Sequence, residues 1–378
     1  MSKRISKSLV VNGVTLVSES DWNAELEAKH QKLVEWLKAN KHAGIVLRRN
    51  ENIAWVTGGA VEEIVSSACE TGVASVLVTA AGGRYYLTTE NEAARAHDEE
   101  FGKLDFEPVI FPWFTDETLA RAEKLAGGPV VTDATANIYP LRQALSESEI
   151  ARYRWLGAES AAATVEALNE VAPGMSEYDL EAITTANLFR RGILPTVHLY
   201  AADERILKYK HAVPRGAVVK KFAMLNLCSR KFGLVISITR FVHFGALPAE
   251  LAARFQAAAK VNAALIEASK PGATASEIYK IAAAAYKAEG FEGDERAHHQ
   301  GGAAGYNERE WVATPAGTQV VVDSQAFAWN PSIRGGKTED TVVVKGGKAE
   351  WLTSTPTLPV IDVERNGKHY PAAGVLVK

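Results

Sequence analysis

Apolar residues recur at three- to four-residue spacing between about residues 21 and 40, where Leu26, Leu33, Trp36 and Leu37 share one helical face. Ser20 or Asp21 stands where such a helix is capped. AGIVLR (43–48) is a continuous apolar run, as in a buried strand. GVASVLVT (72–79) and RYYLTT (84–89), joined by a Gly-containing loop, predict a hairpin. A short helix over NEAARAHDEEF, a strand over FEPVIF, a helix over DETLARAEKLAGG closed by glycine and a strand over PVVTD complete the first part. This alternation predicts an α/β domain over residues 1–145.

Near Ser146 the texture changes. SESEIARYRWLGAESAAATVEALNEV (146–171) reads as one long helix, with Ser146 as cap and Glu149 at the third helical position, a capping box. Alanine-rich helices interleaved with short strands then run to the end, predicting a second domain over 146–378. This half echoes itself. PGMSEYDLEAITTANLFRRG starts at Pro173, and PGATASEIYKIAAAAYKAEG starts 98 residues later at Pro271. Both open with Pro-Gly, carry a Ser-Glu pair, end in Gly and follow a long helix. The pattern predicts a pseudo-twofold domain with a site between the copies.

Composition narrows the function classes. The chain has 378 residues, 47% apolar and 23% charged, with net charge −3. That is a globular profile without the basic footprint of a nucleic-acid binder. Two cysteines, Cys69 and Cys228, make no disulfide framework and point to a reducing compartment. The basic N-terminus lacks the apolar run of a leader, and no stretch approaches the roughly 18 apolar residues of a membrane span. A cytoplasmic protein with no membrane or nucleic-acid partner is the expectation.

Three strings carry a resemblance: LNLCSRKFGLVISITR (225–240), AHHQGGAAGYNERE (297–310) and AWNPSIRGGKTEDT (328–341). With the Ser146/Glu149/Ile150 helix start and the PG elements, they make the chain resemble the pita-bread superfamily of creatinase, aminopeptidase P, prolidase and methionine aminopeptidase. The resemblance covers nearly the whole chain and is nearest to the two-domain members. It implies an α+β fold: an N-terminal α/β creatinase-like domain, then a C-terminal pita-bread domain with a pseudo-twofold internal repeat. It also implies a homodimer.

The metallopeptidases of this superfamily hold two divalent ions with two Asp, one His and two Glu. The corresponding positions here are Asn226, Ser237, Gly302, Asn330 and Glu339. One carboxylate cannot neutralise two dications, and Asn and Ser are weak neutral ligands. No metal and no cofactor is therefore expected. Creatinase works without metal, and it shares the Asn and lacks the metal-binding His. Its acid/base His maps on His211, a second active-site His on His298, and a carboxylate-binding Arg on Arg309. Its two guanidinium-holding Glu fall on Thr239 and Asn330, so the pocket lacks the anions that creatine needs.

Each candidate has a competing reading. His211 has the imidazole needed to take and give a proton, or is a surface residue in a basic stretch. His298 and His299 are adjacent, so only one is expected to face the pocket. His298 would hydrogen-bond substrate or an oxyanion, or satisfy backbone carbonyls. Arg309 is read on a strand, pointing inward as a carboxylate clamp away from Glu308 and Glu310, or as part of a solvated turn. Glu339 would orient His211 or a water, its pKa raised by burial, or pair with Lys337 or Arg334. Asn226, Ser237, Thr239 and Asn330, with Tyr306, would line a pocket for a small polar ligand. Arg240 is read as structural, and Cys228 as a buried inert thiol. Arg48 or Arg49, in the stretch RRNENIAWVTGG with Trp55, would touch an anionic substrate, as this domain reaches the partner's site in two-domain relatives, or lie on a surface loop.

The expectation is a metal-independent, creatinase-like hydrolase or lyase that cleaves a C–N bond in a small carboxylate-bearing metabolite, not creatine. The catalytic set is His211, His298 and Glu339. The rivals are an Xaa-Pro-type metallopeptidase and a non-catalytic ligand-binding protein.

Overall fold

The computed structural model describes residues 8–378. The reading of the N-terminus as leaderless rests on Met1–Lys7, which lie outside the described residues. The chain divides into two compact units, Met1–Arg152 with Phe232–Leu234, and Tyr153–Lys231 with Val235–Lys378.

The first unit carries a five-stranded mixed sheet. Its order is Glu107–Phe111, Arg84–Thr89, Thr71–Thr79, Gly44–Arg49 and Val130–Thr132. The 71–79 and 84–89 strands form the expected antiparallel hairpin. The helix Glu19–Ala39 is capped by Ser18, whose Oγ accepts from the Asp21 amide at 3.1 Å, so the cap lies two residues before Ser20, the earlier of the two expected caps. Leu26, Leu33 and Leu37 are buried as expected, Trp22 joins them and Trp36 is only half-buried. The 90–103 segment starts as an α-helix and tightens and loosens through a π-turn and a 3-10 turn. RRNEN is no loop: Arg49 ends a strand and Asn50–Val56 is helical, with Trp55 buried.

The long helix Glu147–Glu170 starts at the Ser146 capping box. The Glu149 amide donates to Ser146 Oγ at 3.2 Å and the Ser146 amide donates to Glu149 Oε2 at 2.7 Å. The units part inside this helix, after Arg152.

The echo in the sequence becomes an echo of elements. Helix Glu177–Phe189 precedes strands Leu194–Ala202, Phe222–Lys231 and Leu234–His243. Helix Ala275–Ala288 precedes strands Gly301–Ala304, Gln325–Trp329 and Asp340–Lys345. Each set forms adjacent strands of its own sheet. Both helices start in capping boxes, Ser176 with Asp179 and Thr274 with Glu277. The equivalent of Ser176 is thus Thr274, and the Ser-Glu pair of the second copy lies two residues too late to match the first. Both Pro-Gly turns are tied down alike, with Gly174 N donating to Val219 O and Gly272 N to Val321 O, each at 2.9 Å.

Two strands position most of the site. Phe222–Lys231 and Leu234–His243 are buried along nearly their whole length, so apolar and polar positions do not separate by exposure. They are joined by a tight turn with positive φ at Phe232 (57°) and Gly233 (75°), the conformation that twisted hairpins require. Side chains alternate between faces. Asn226 and Cys228 therefore share a face with Thr239 and Ser237, and meet them across the hairpin. Among the described residues no helix is long and apolar enough to cross a membrane.

Candidate active site

Glu339 lies at the centre of the site. It directly precedes the strand Asp340–Lys345, and alternation sends neighbouring side chains to opposite faces. Thr341 Oγ1 donates to the Ser237 carbonyl at 3.0 Å, while Asp340 goes the other way, to Arg240 at 2.7 Å. Glu339 Oε2 accepts from Thr239 Oγ1 (2.6 Å) and Asn226 Nδ2 (2.7 Å), and pairs with Lys337 Nζ (2.9 Å). Its Oε1 accepts from Arg309 Nη2 (2.8 Å). Lys337 Nζ also donates to Asn226 Oδ1 (3.1 Å), and Arg309 Nη1 to Ser237 Oγ (2.8 Å).

Two expectations change here. Burial would raise the Glu339 pKa, but the Lys337 and Arg309 charges together with the hydrogen bonds from Thr239 and Lys337 outweigh it and hold the carboxyl well below its usual range. With both oxygens taken, Glu339 has no hydrogen bond to His211 and is not poised to orient it. Arg309 does point inward, but from an irregular loop rather than a strand, and it clamps this protein's own carboxylate.

The histidines gather as a trio. His298 Nε2 and His211 Nε2 are 3.1 Å apart, and the His298 and His299 rings stack at 4.3 Å between centroids. The expectation that only one of the adjacent pair faces the pocket is overturned, since the nitrogens of all three fall within 4.8 Å of one another. Among the described residues this trio could share an ion. His211 is exposed and follows a helical turn, Glu204–Lys208, not a strand. His298 is buried and its Nδ1 has no partner. Placing the single proton of His298 on Nε2 spares a buried orphan N–H, so His298 donates and His211 accepts. Burial, with help from Lys337, lowers His298 to about 2, and burial with Arg309 lowers His299 to about 4. Desolvation and Lys337 lower His211, against the pull of Glu339. All three imidazoles are neutral at pH 7.

The remaining candidates are placed as follows. Asn330 is buried with Oδ1 unpartnered. Tyr306 is buried in the loop before Arg309, its backbone amide donating to Glu310 Oε1, and it is not among the groups on Glu339. Arg240 is structural, bonding Thr239 O, Thr353 O, Thr355 Oγ1 and Asp340. Cys228 is buried, its Sγ 3.1 Å from Ser237 Oγ, and burial pushes the thiol up to about 12. In the first unit, Arg49 reaches Glu70 at 3.3 Å and the amides of Arg48 and Arg49 donate to Asp133. A cavity of about 820 Å³ in that unit, lined among others by Glu27, His30 and Arg84, includes none of these site residues.

Lys337 and His299 are the residues that sequence reasoning passed over. Lys337 entered it only as an ion-pair partner for Glu339. The pair forms and lies inside the site.

The sequence pattern of metallopeptidase family M24 matches residues 151–346. The chain belongs to that family. It is 28% identical over 214 residues to the agropine synthesis cyclase of Rhizobium rhizogenes, a match covering 49% of this chain and 52% of the relative. The chain thus spans about half the length of the curated relative it matches. Dipeptidase PepE from Mycobacterium ulcerans has the same fold, with TM-score 0.70, 16% identity and coverage of 88% of this chain and 96% of that one. The Xaa-Pro dipeptidase from Bacillus anthracis gives 0.70 and 15%, covering 93% and 100%. These likenesses show the pita-bread fold, of mixed helix and sheet, that the sequence suggested.

Metallopeptidase family M24 takes its name from a metal, and this member's residues do not suit a pair of ions. Four of the five positions equated with ligands are neutral. A Cβ built on Gly302 would lie 1.9 Å from the Trp311 carbonyl oxygen, so no histidine fits there without moving the strand. Lys337 Nζ lies between Asn226 and Glu339, within hydrogen-bond reach of both.

Proposed function

We propose that this M24 chain is a metal-independent, creatinase-like hydrolase or lyase that cleaves a C–N bond in a small carboxylate-bearing substrate other than creatine. The observation that carries the reading is the His211–His298 pair, two neutral imidazoles 3.1 Å apart in a site whose carboxylate is already paired with Lys337 and Arg309. A neutral imidazole is the general base that such chemistry needs.

His211 Nε2, released from its bond with His298, takes the proton of the attacking O–H as the new C–O bond forms and the carbonyl π pair moves onto oxygen. Collapse of the adduct breaks the C–N bond, and His211 returns the proton to the leaving nitrogen. Before the reaction His298 holds the His211 ring in place through its Nε2–H. The nucleophile is water, or a group of the substrate itself. The second option is favoured by the relative named a cyclase, because ring closure draws its nucleophile from the same molecule. Creatine is disfavoured because Thr239 and Asn330 stand where creatinase has its guanidinium-binding Glu. The same reading takes the chain as a cytoplasmic homodimer.

The test is turnover on a panel of small amides and amino-acid conjugates. Replacing His211 with Ala should reduce the rate by about 100-fold or more, with the circular dichroism unchanged. Undiminished turnover overturns the assignment, and a wild-type protein silent on the panel favours a ligand-binding role.

A further inference from the structure

Glu339 is outnumbered. Lys337 and Arg309 bring two positive charges to one carboxylate, with side chains only 6%, 12% and 3% exposed respectively. The histidines beside them cannot restore balance, because an imidazole is neutral or cationic and never supplies negative charge. The only other acid on this strand start, Asp340, is spent on Arg240. Lys210 adds to the excess from the loop before His211. Its Nζ donates to Ser332 O and Oγ at 3.2 Å, and burial and the Lys337 charge both disfavour its protonated form while Asp294 favours it. A buried surplus of positive charge is costly unless an anion completes it.

The hydrogen-bond count shows which donors remain for that anion. An ammonium has three N–H bonds. Lys337 uses them on Glu339 Oε2 and Asn226 Oδ1, leaving one without a partner among the described residues. Arg309 places Nη1 and Nη2 on Ser237, Glu308 O and Glu339, while its buried Nε has no partner. Two cationic groups on opposite oxygens of one carboxylate thus each keep a spare donor.

We propose that Lys337, with Arg309, forms an anion subsite that takes a single carboxylate or a carbonyl oxyanion and rejects divalent cations. Lys337 is then the specificity-determining residue, and Arg309 the positioning partner shared with Glu339. The assignment rests on the reading above for what the anion does in a reaction, but not for its binding. A monoanion brings the Lys337–Arg309–Glu339 group to zero net charge, whereas a dication would add to a surplus already present. Carboxylates suit both donors, since charge-assisted N–H···O bonds are the strong ones.

The probe is acetate, read by isothermal titration on the full-length protein, with methylammonium and Mn²⁺ as counter-probes. Acetate should bind saturably, and neither cation should bind at the site. Lys337→Met should weaken acetate by about tenfold or more, while His211→Ala, which tests the catalytic reading, should leave acetate binding intact. Because Lys337→Met removes a buried partner of Glu339, ¹⁵N spectra of the wild-type lysine ammonium groups provide a second measurement. A slowly exchanging, buried ammonium should shift on saturation with acetate and not with methylammonium. Absence of acetate binding, equal binding by Lys337→Met, or a buried ammonium indifferent to acetate would overturn the proposal. So would Mn²⁺ competing with acetate.

Discussion

Lys337 Nζ lies 2.9 Å from Glu339 Oε2, two residues away in sequence, with both side chains buried. Arg309 Nη2 holds the other carboxylate oxygen at 2.8 Å. The cluster is an internal ion network whose members depend on one another. Removing one partner of a buried pair strands the charge left behind, at a cost of about 3–5 kcal/mol. Glu339→Gln strands two charges while keeping nearly the same shape. Urea denaturation should therefore show a loss of at least about 3 kcal/mol. A loss under about 1 kcal/mol, the scale of surface pairs, would mean the cluster is hydrated and loosely held.

The same carboxylate sets a pH dependence. Burial acts to raise the Glu339 pKa, and the Lys337 and Arg309 charges with the Thr239 and Lys337 hydrogen bonds lower it further than burial raises it. The folded value therefore lies below the unfolded value of about 4.3. A depressed folded pKa adds stability that is complete above the unfolded pKa and is lost as pH falls below it. Stability should decline from about pH 5 downward, and in Glu339→Gln that acid limb should be shallower. Equal slopes in the two proteins would remove Glu339 from the account.

Cys228 and Cys69 should behave differently. Cys69 is exposed, whereas Cys228 is buried against Ser237 with its thiol pushed up to about 12. Only thiolates react readily. Native protein at about pH 8 should thus release colour from one thiol with a disulfide reagent, and from both in denaturant. Rapid reaction of both in the native state would mean that the hairpin around Cys228 opens.

The sequence made the capping box at Ser146 and the repeated Pro-Gly helices legible, because each depends on local chemistry: a cap, a turn. The resemblance, not periodicity, grouped Glu339, Asn226 and Ser237, and the structure joins them in one hydrogen-bonded cluster through Arg309. Three features escaped. His299 joins His211 and His298 although neighbours on a regular strand would diverge, because the 297–300 segment precedes the strand starting at Gly301. Arg309 reaches Glu339 from a loop whose course no periodicity predicts. The lowered Glu339 pKa depends on a sum of opposing terms, burial against two cations, whose sign is decided by distances. The usable clue to Lys337 was its i, i+2 spacing from Glu339, which puts two side chains on one face of an extended segment.

Elemental analysis of the purified full-length chain, after dialysis against buffer without chelator, tests the account at its base. One carboxylate already paired with an ammonium and a guanidinium should hold no pair of manganese, cobalt or zinc ions, and a single ion on the three histidines is the most the site accommodates. Two ions per chain, or one displacing Lys337 from Glu339, would contradict it.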